Sequence, residues 1–444
     1  MSERHQWTNL SRRQMLKLSL WATTAAMLSA CVAPGASTAG DGSGTTSAKT
    51  SIQANFAFDS PDAAPTIGEW IAKFGEANPD IEVVEVYTAW PDHHTKLLTQ
   101  AAAGTLPDFM EIYGGYASQW IRQGSFLGLN DYTAKDADFD MADFFASIVE
   151  MYQWEGEIYA LPYDHGPEIL AYNKVLFDAA SLPYPDDTWD MAKLLEVGQA
   201  LTTEGETWGF GSLPRGWRTE GEFLMPWGGQ LLNEDETECL IDGPAALEAL
   251  QYWADMRLVH GVQPSASQAE MLQGLGGGFQ SGKVAMTDAA PWSAPGFNQN
   301  PEVKWDVAPW PKGPATRVTA GQGSGFAITK DTKSTEASWK LLRWFESKEG
   351  LDFVWAGSGA STPPRRSIFS TYLNAPGVPE HAQYFYDAMD QYMVLGRPIS
   401  PVAEEFTSMM DREFELIFLG EKSVADGAAV IKAQGDEILV QNKG

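Results

Sequence analysis

Apolar and polar residues follow two different periods along the chain from residue 51 onward. In 51–58 (SIQANFAF) apolar side chains stand at every second position, which is the spacing of a strand with one buried face. In 65–79 they recur every three to four residues, as in an amphipathic helix, and the segment ends at a proline. The alternation continues with a strand over 81–87, a helix over 93–104 and a strand over 108–113. This order predicts an α/β fold in which helices connect the strands of a sheet.

Helical patterns become more frequent further along the chain. Thr188 precedes an apolar stripe in 189–201 and is expected to cap that helix, while Gly243 and Pro244 are expected to begin another helix over 244–261. Short strands are predicted over 283–289, 304–310 and 323–329, and the last third of the chain is predicted to be mostly helical. The apolar stripes of these helices are expected to form the core.

The first 31 residues have the features of an export signal. Two adjacent arginines precede an apolar run over 18–30, and its 13 residues are too few for a transmembrane helix, which needs about 20. The stretch SRRQMLK resembles a twin-arginine signal, and LSAC resembles a lipobox that would place a diacylglyceryl group on Cys31. An ordinary cleaved signal with a coincidental cysteine is the alternative. Residues 32–50, rich in Gly, Ser, Thr and Ala, are expected to form a flexible linker.

The charge balance is strongly acidic. The full chain has a formal net charge of −29, and loss of residues 1–30, which carry four basic residues and one acidic residue, changes it to −32. Such a field repels phosphate backbones and anionic headgroups, so we expect no nucleic acid partner and no membrane contact except through the lipid. Beyond the signal no segment reaches 18 uncharged apolar residues. Cys239, which has no disulfide partner once Cys31 carries lipid, is expected to be a small buried apolar residue.

Common enzyme signatures are absent from the sequence. The glycine-rich runs 274–279 and 321–325 match neither the dinucleotide fingerprint nor the phosphate loop, and neither Gly-x-Ser-x-Gly nor His-Glu-x-x-His occurs. Asp92, His93 and His94 are the best metal candidates, but neighbours on a helix diverge by about 100°, which favours a solvated helix start. We therefore predict no metal, cofactor or catalytic residue, although a carboxylate pair formed in space would not be visible in a sequence.

Aromatic residues give a clearer indication of function. The chain has 17 Trp and 14 Tyr, and several of them follow strand or helix ends beside turn residues. These are Trp90, Tyr113, Tyr116, Trp227 and Trp292. In α/β folds, ligands bind beyond the carboxyl ends of strands. A flat ring at such a place can stack on the C–H face of a sugar, so the set favours a carbohydrate site, although each ring alone more often anchors a loop.

The order of several longer motifs resembles a known family. AAAGTLPDFMEIYGG, LAYNKVLF followed by TWD, GKVAMTDAAPW and ASTPPRR are similar in order to the motifs of the extracellular solute-binding proteins, family 1, of bacterial ABC importers, relatives of maltose-binding protein. The resemblance covers nearly the whole chain after the linker. It implies a two-lobed α/β fold of the periplasmic-binding-protein type II class, with crossing hinge segments and a ligand between the lobes. The expected lobes are 51–162 with 319–360, and 163–318 with 361–444.

The resemblance also implies which residues contact the ligand. Asp59 follows the first strand, where the family places a hydroxyl-binding group, and Trp292 stands where a stacking tryptophan is expected. Glu404 departs from maltose-binding protein, which has an aromatic residue near that position. Together with the aromatic pattern, this gives the predicted ligand-binding residues Asp59, Trp90, Tyr113, Tyr116, Asp164, His165, Trp227, Gly228, Asp288, Trp292, Gln322, Gly323, Arg365 and Glu404.

These features predict a substrate-binding lipoprotein that captures a sugar or oligosaccharide and delivers it to a membrane permease whose ATPase is a separate chain. We expect a monomer without catalytic activity, exported and lipid-anchored to the outer face of the cytoplasmic membrane. Two alternatives stay open. One is an exported carbohydrate hydrolase with a pair of carboxylates, and the other is a binding protein for a cationic solute such as a polyamine, which the acidic balance permits.

Overall fold

The computed structural model of the chain describes residues 49–58, 64–136 and 138–440. The predicted signal, the lipobox cysteine, nearly all of the linker and the candidate ligand residue Asp59 lie outside the described residues. Among the described residues, no helix has the length and apolar content needed to cross a bilayer.

Strands and helices alternate over 50–122, and runs of successive strands and of successive helices follow. The strands are β1 Thr50–Phe58, β2 Ile81–Ala89, β3 Phe109–Tyr113, β4 Gln153–Trp154, β5 Glu157–Ile158, β6 Ala160–Pro162, β7 Gly166–Pro167, β8 Ile169–Asn173, β9 Met286–Ala289, β10 Trp305–Ala308, β11 Thr319–Gln322, β12 Ser324–Ile328 and β13 Met393–Leu395. The α-helices are α1 Ala64–Ala77, α2 Trp90–Ala102, α3 Gly114–Arg122, α4 Asn130–Lys135, α5 Ala146–Glu150, α6 Lys174–Ala180, α7 Met191–Leu201, α8 Pro244–Leu258, α9 Ala266–Met271, α10 Gly274–Gln280, α11 Ala294–Phe297, α12 Thr335–Phe345, α13 Lys348–Leu351, α14 Phe369–Leu373, α15 Gln383–Gln391, α16 Ala403–Phe418 and α17 Val424–Leu439.

A five-stranded sheet with the order β2-β1-β3-β12-β6 organises the first lobe. β1 runs parallel to both β2 and β3, as expected for strands joined by crossing helices, and β12 is antiparallel to β3 and β6. The period-two pattern of β1 correctly predicts its buried face, since Ile52, Ala54 and Phe56 are fully buried. Helices α1 and α12 pack on this sheet, where the rings of Trp70 and Phe345 stack 3.8 Å apart.

A three-stranded antiparallel sheet with the order β10-β8-β9 organises the second lobe. Its main core is shared with α7, α8, α16 and α17 and includes Leu194, Trp253, Phe414 and Ile431, so the predicted apolar stripes are core residues. Cys239 lies fully buried in the same core as a free thiol, which confirms the prediction made for it.

A third sheet lies where the chain passes from one lobe to the other. It has the order β13-β11-β7, and it pairs Gln322 with Gly166 and Gly321 with Leu395. β7 stands between β6 of the first lobe and β8 of the second, while β11 leads into β12 of the first lobe. Three separate stretches of chain therefore meet at the crossing. Where each lobe begins and ends along the chain stays a prediction.

The predicted cap of α7 is wrong by two residues. The helix begins at Met191, and the side chain of Asp190 accepts a hydrogen bond from the backbone N–H of Lys193 at 2.8 Å. The hydroxyl of Thr188 instead donates to Asp186 at 2.5 Å. Both residues are acceptable caps, and the position of the first helical turn decides between them.

Candidate ligand-binding site

Three predicted aromatic residues come together beyond the ends of β2 and β3. Tyr113 is the last residue of β3, and its ring makes edge contacts with Trp90 at 5.5 Å and with Tyr116 at 5.4 Å between ring centroids. The chain turns directly into α3 at Gly114, where a Cβ atom would lie 1.7 Å from the sulfur of Met151. A larger residue at this turn would require the side chains of Met151 and Gln322 to move.

Four further candidates lie in the crossing segments. Asp164 accepts a hydrogen bond from the backbone N–H of Ser324 at 2.7 Å. Gln322 donates from its side-chain amide to the carbonyl of Gly396 at 3.3 Å, and a Cβ on Gly323 would lie 2.3 Å from the carbonyl oxygen of Asp164. These contacts tie the crossing strands to one another.

His165, the remaining candidate in the crossing, is uncharged. Its side chain is fully buried, and burial lowers its pKa to about 3. Its Nε2 lies 3.3 Å from the sulfur of Met393, and its carbonyl accepts a hydrogen bond from Thr362. We therefore find His165 packed inside the crossing, where it joins β7 to β13.

A charged cluster faces the aromatic residues from the second lobe. Asp288 of β9 forms an ion pair with Arg218, whose Nη1 also lies 4.0 Å from Glu222. Arg218 immediately precedes a π-helical turn over Thr219–Leu224, a wide helical geometry that often occurs at functional sites. Tyr113 has a raised pKa because it is buried, with smaller contributions that include the charge of Glu168. Glu168 and Arg218 are therefore close to the ring cluster.

Two carboxyl groups of this cluster have raised pKa values. Burial is the main cause for both Glu168 and Glu222, and each pKa rises to about 7 although the charge of Arg218 opposes the rise. Two further charged residues, Arg215 and Asp411, interact with this cluster. Burial lowers the pKa of Arg215 and raises that of Asp411, which accepts a hydrogen bond from the backbone N–H of Gly216 at 2.8 Å. The site is thus rich in buried charge.

Glu404 contacts the first lobe from helix α16. Its Oε2 lies 3.8 Å from Nε2 of His94, whose ring stacks on Tyr116 with centroids 3.7 Å apart. Burial lowers the pKa of His94 to about 4, so the contact with Glu404 is not an ion pair at neutral pH. This pair joins α16 to α2 across the two lobes.

The histidines next to Asp92 do not form the solvated helix start that was expected. His93 is 4% exposed, and its Nε2 lies 3.0 Å from the carbonyl of Glu111, while the ring of His94 is covered by Tyr116. The prediction missed that this face of α2 packs on the sheet.

Another group of residues has the geometry of a metal site. Asp306, Glu380 and His381 offer ligand atoms within 4.8 Å of one another. The ammonium group of Lys174 already lies 3.4 Å from Asp306 and 3.3 Å from Glu380. An internal cation therefore already pairs with both carboxylates. Asp306 lies on β10, opposite Tyr172 of β8.

Trp292 joins the candidate site, whereas Trp227 does not. Trp292 is half-buried in a turn after β9, and its ring would touch a Cβ on Gly166 of the crossing at 3.3 Å. Trp227 is 8% exposed and packs against Tyr252 and Trp253 in the core of the second lobe. We therefore assign Trp227 to the core, in correction of the sequence-based prediction.

Gly228 and Arg365 also have structural settings. Gly228 has a φ of 81°, which glycine adopts without strain, and ends the short helical turn that carries Trp227. Arg365 is 2% exposed, and its guanidinium donates to the carbonyls of Phe139 at 2.9 Å and Glu346 at 2.7 Å. A guanidinium with its donors used inside the protein is not available to a ligand, so Arg365 is removed from the candidate site.

Comparisons with known proteins identify the family of the chain. The sequence profile of the bacterial extracellular solute-binding protein family matches residues 69–379. The chain belongs to this family. A binding protein of Brucella abortus is 26% identical over 403 residues, which cover 86% of this chain and 94% of that protein. The erythritol/L-threitol-binding protein of Mycolicibacterium smegmatis is 23% identical over 320 residues, which cover 65% and 66% of the two chains.

Solved structures give the same result for the fold. An ABC substrate-binding protein of Listeria monocytogenes in complex with cycloalternan matches with a TM-score of 0.78 at 25% identity, over 88% of this chain and 98% of that chain. The sugar-binding protein MalE of Xanthomonas citri matches with a TM-score of 0.75 at 22% identity, over 89% and 98%. This solute-binding protein therefore has the predicted two-lobed type II fold, and its family places it outside the cytoplasm, as an exported or periplasmic protein.

Sequence reasoning missed three charged residues of the solute-binding protein's candidate site. Glu168 lies far from the other two in the sequence, and Arg218 and Glu222 have the i,i+4 spacing that places two residues on one face of a helix. For Glu168 the usable signal was position, because it stands four residues after Asp164 in the first crossing segment. For Arg218 and Glu222 the usable signal was their spacing, although nothing in the sequence indicated that the turn is π-helical.

Proposed function

We propose that this protein captures a sugar between its two lobes and delivers it to an ABC importer in the membrane. The observation that carries the proposal is the meeting of two chemistries at the crossing. The rings of Trp90, Tyr113 and Tyr116 come from the first lobe, and the ion pair of Arg218 with Asp288 comes from the second. Stacking rings and charged hydrogen-bonding groups are the two kinds of contact that a sugar uses.

Binding by this pair of surfaces needs no covalent step. A ligand that contacts both lobes stabilises the closed arrangement by its differential affinity for it. Micromolar binding corresponds to about 8 kcal/mol. Two ring contacts at roughly 0.5–1.5 kcal/mol each beyond burial, with several hydrogen bonds to charged groups at about 1.5–3 kcal/mol each, can supply that after the ordering cost. Known binding proteins for lactose and for erythritol or L-threitol are among its relatives, which supports this class of ligand.

A thermal-shift screen of mono- and oligosaccharides against the full chain tests the proposal. We expect at least one sugar to raise the melting temperature, with its affinity then measured by calorimetry. Trp90→Ala should weaken that sugar at least tenfold because it removes one face of the ring cluster. Trp154→Ala is the matched control, since Trp154 is 41% exposed on the β4–β5 hairpin. No shift with any sugar, or an equal loss in both variants, would contradict the proposal.

A glycoside hydrolase is the second candidate, because Glu168 and Glu222 form a pair of carboxyl groups with raised pKa values. Glu222 is fully buried, which argues against a direct role in bond cleavage. Incubation with the sugar identified in the screen should yield no new reducing ends. Their appearance at a rate that Glu168→Gln abolishes would establish the hydrolase instead.

We further propose that the chain is a monomeric lipoprotein held to the membrane by Cys31, with lobe boundaries as predicted from the sequence. Replacement of the lipobox cysteine, Cys31→Ser, should move the protein from the membrane fraction to the soluble fraction of cells. Retention in the membrane fraction would count against the anchor. A change in the screen result would not be expected, because the linker separates the anchor from the described lobes.

A further inference from the structure

The candidate site holds more negative than positive groups. Four carboxylates and two guanidinium groups interact there: Glu168, Glu222, Asp288, Asp411, Arg215 and Arg218. His165, which adjoins them in the crossing, is buried and uncharged and therefore contributes no positive charge. With every carboxyl group ionised, this cluster has a net charge of −2.

The negative charges are unequally balanced within the cluster. Arg218 is engaged with Asp288, and Arg215 interacts with Asp411. Glu168 is 7% exposed, and no residue that the structure describes donates a hydrogen bond to its carboxylate or lies within ion-pair distance of it. The charges of Arg218 and Arg215 act on this carboxylate, but they do not offset the effect of burial, which raises its pKa. Beneath it, both carboxylate oxygens of fully buried Glu222 lack a hydrogen-bond partner among the described residues, with the nearest guanidinium nitrogen of Arg218 at 4.0 Å.

A buried carboxylate without a partner is unfavourable unless it takes up a proton or meets a cation. The raised pKa of Glu168 means that, without a ligand, its carboxylate takes up a proton more readily than usual. A ligand with a positive charge would supply the cation instead. An anionic ligand would add to the excess charge, and a neutral sugar would leave it uncompensated.

The position of Glu168 decides which kind of cation fits. Glu168 lies in the crossing close to the ring cluster: its backbone N–H donates to the carbonyl of Ala320 in β11 at 2.9 Å, and Gly323, which follows β11, accepts a hydrogen bond from Gly114, the residue after Tyr113. The charge of Glu168 also contributes to the raised pKa of Tyr113. A flat pyranose can lie against these rings while a substituent reaches the carboxylate. We propose that the ligand is a saccharide that bears a protonated amine, and that the carboxylate of Glu168 binds its ammonium group. This inference rests on the proposed function and specifies its ligand class.

Matched sugars that differ in charge test this ligand class. Glucosamine, galactosamine and β-1,4-linked glucosamine oligomers would be titrated by calorimetry into the purified full chain at pH 7.5. Their neutral counterparts are glucose, galactose, the N-acetylated forms and cello-oligosaccharides. We expect at least one amine-bearing sugar to bind ten times more tightly than its neutral counterparts. Spermidine, a cation without a ring, should bind at least ten times more weakly than that sugar.

Two variants separate the role of Glu168 from a general loss of charge. Glu168→Gln should weaken the amine-bearing sugar at least tenfold and change the neutral counterparts less than threefold. Glu220→Gln is the matched control, since Glu220 is also buried and lies on the π-helical turn, but its carboxylate is 3.8 Å from Arg397. It should leave both affinities unchanged, and melting curves would show that each variant is folded.

Each outcome supports or overturns the inference. Equal or tighter binding of the neutral sugars would overturn it and leave the proposed function standing. Binding of spermidine as tight as that of the amine-bearing sugar would show that the site recognises charge alone, which overturns the saccharide part. No binding by any sugar of either kind would contradict the proposed function itself, and the inference would fall with it.

Discussion

Arg365 offers a sharp test of whether a predicted ligand residue is instead part of the protein interior. Its guanidinium donates to the carbonyls of Phe139, Asp140 and Glu346 at 2.9, 3.1 and 2.7 Å, and it lies 3.4 Å from the carboxylate of Asp143. Burial alone would raise the pKa of Asp143, but hydrogen bonds from Ser367 and nearby positive charges hold it below the usual range. The guanidinium thus connects Arg365, which the predicted boundaries place in the second lobe, to 139–143 and Glu346 of the first lobe.

Replacement by methionine keeps a similar stem but removes every one of these donors. Three carbonyls and one carboxylate would then be buried with fewer partners, and breaking a buried ionic network in this way costs about 3–5 kcal/mol. We expect Arg365→Met to lower the free energy of unfolding by that amount, measured as a shift of the urea midpoint by tryptophan fluorescence. The affinity for the sugar should stay within threefold of the parent protein.

The neighbouring residue provides the control. Arg366 pairs with Asp390 at 2.7 Å, but its side chain is 37% exposed. An ion pair in contact with solvent contributes roughly 0–1 kcal/mol, so Arg366→Met should change stability by less than about 1 kcal/mol. If the two variants are equally stable, or if Arg365→Met folds normally and loses the ligand, the assignment of Arg365 to the interior is refuted.

Two further predictions follow from the same contacts. Trp292→Ala should weaken sugar binding at least tenfold with little loss of stability. Trp227→Ala should instead lower the free energy of unfolding by about 3–5 kcal/mol, because it empties a core position. Calorimetry measures the first effect and urea titration the second, and the opposite pattern would reverse the two assignments. Glu222→Gln should become progressively more stable relative to the parent protein between pH 5 and pH 8. The pKa of Glu222 is about 7 in the folded protein and about 4.3 in the unfolded chain, so the parent protein loses the stability that the protonated group contributes as pH rises. A difference in stability that does not vary with pH would show that Glu222 is not protonated in the folded protein.

Local periodicity was sufficient to predict the first three strands but not β4 to β8, β11 or β13. β1, β2 and β3 were expected within two residues of their observed bounds, because alternating apolar residues report directly which face of a strand is buried. The lobes and their crossing required the family resemblance, since pairing between β7, β11 and β13 joins segments far apart in the sequence.

The candidate site was harder to predict than the fold. Trp90, Tyr113 and Tyr116 were found because they follow strands whose carboxyl ends meet. Trp227 satisfied the same rule of a ring beside glycines but packs on Tyr252, and only the three-dimensional packing of α8 distinguishes the two cases. Of the charged cluster only Asp288 was predicted, because burial and partners rather than residue type decide the charge of a carboxyl group.

The five-stranded sheet has a consequence for the order in which the protein is made. Its central strand β3 pairs on one side with β12, which leaves the ribosome roughly 200 residues later, or about 10–40 s later at typical rates of synthesis. During that interval the edge of β3 has no permanent neighbour, and the growing chain exposes a template for unwanted pairing. A nascent polypeptide of this kind can complete this sheet only after β12 has been made, which makes it a natural client for chaperones.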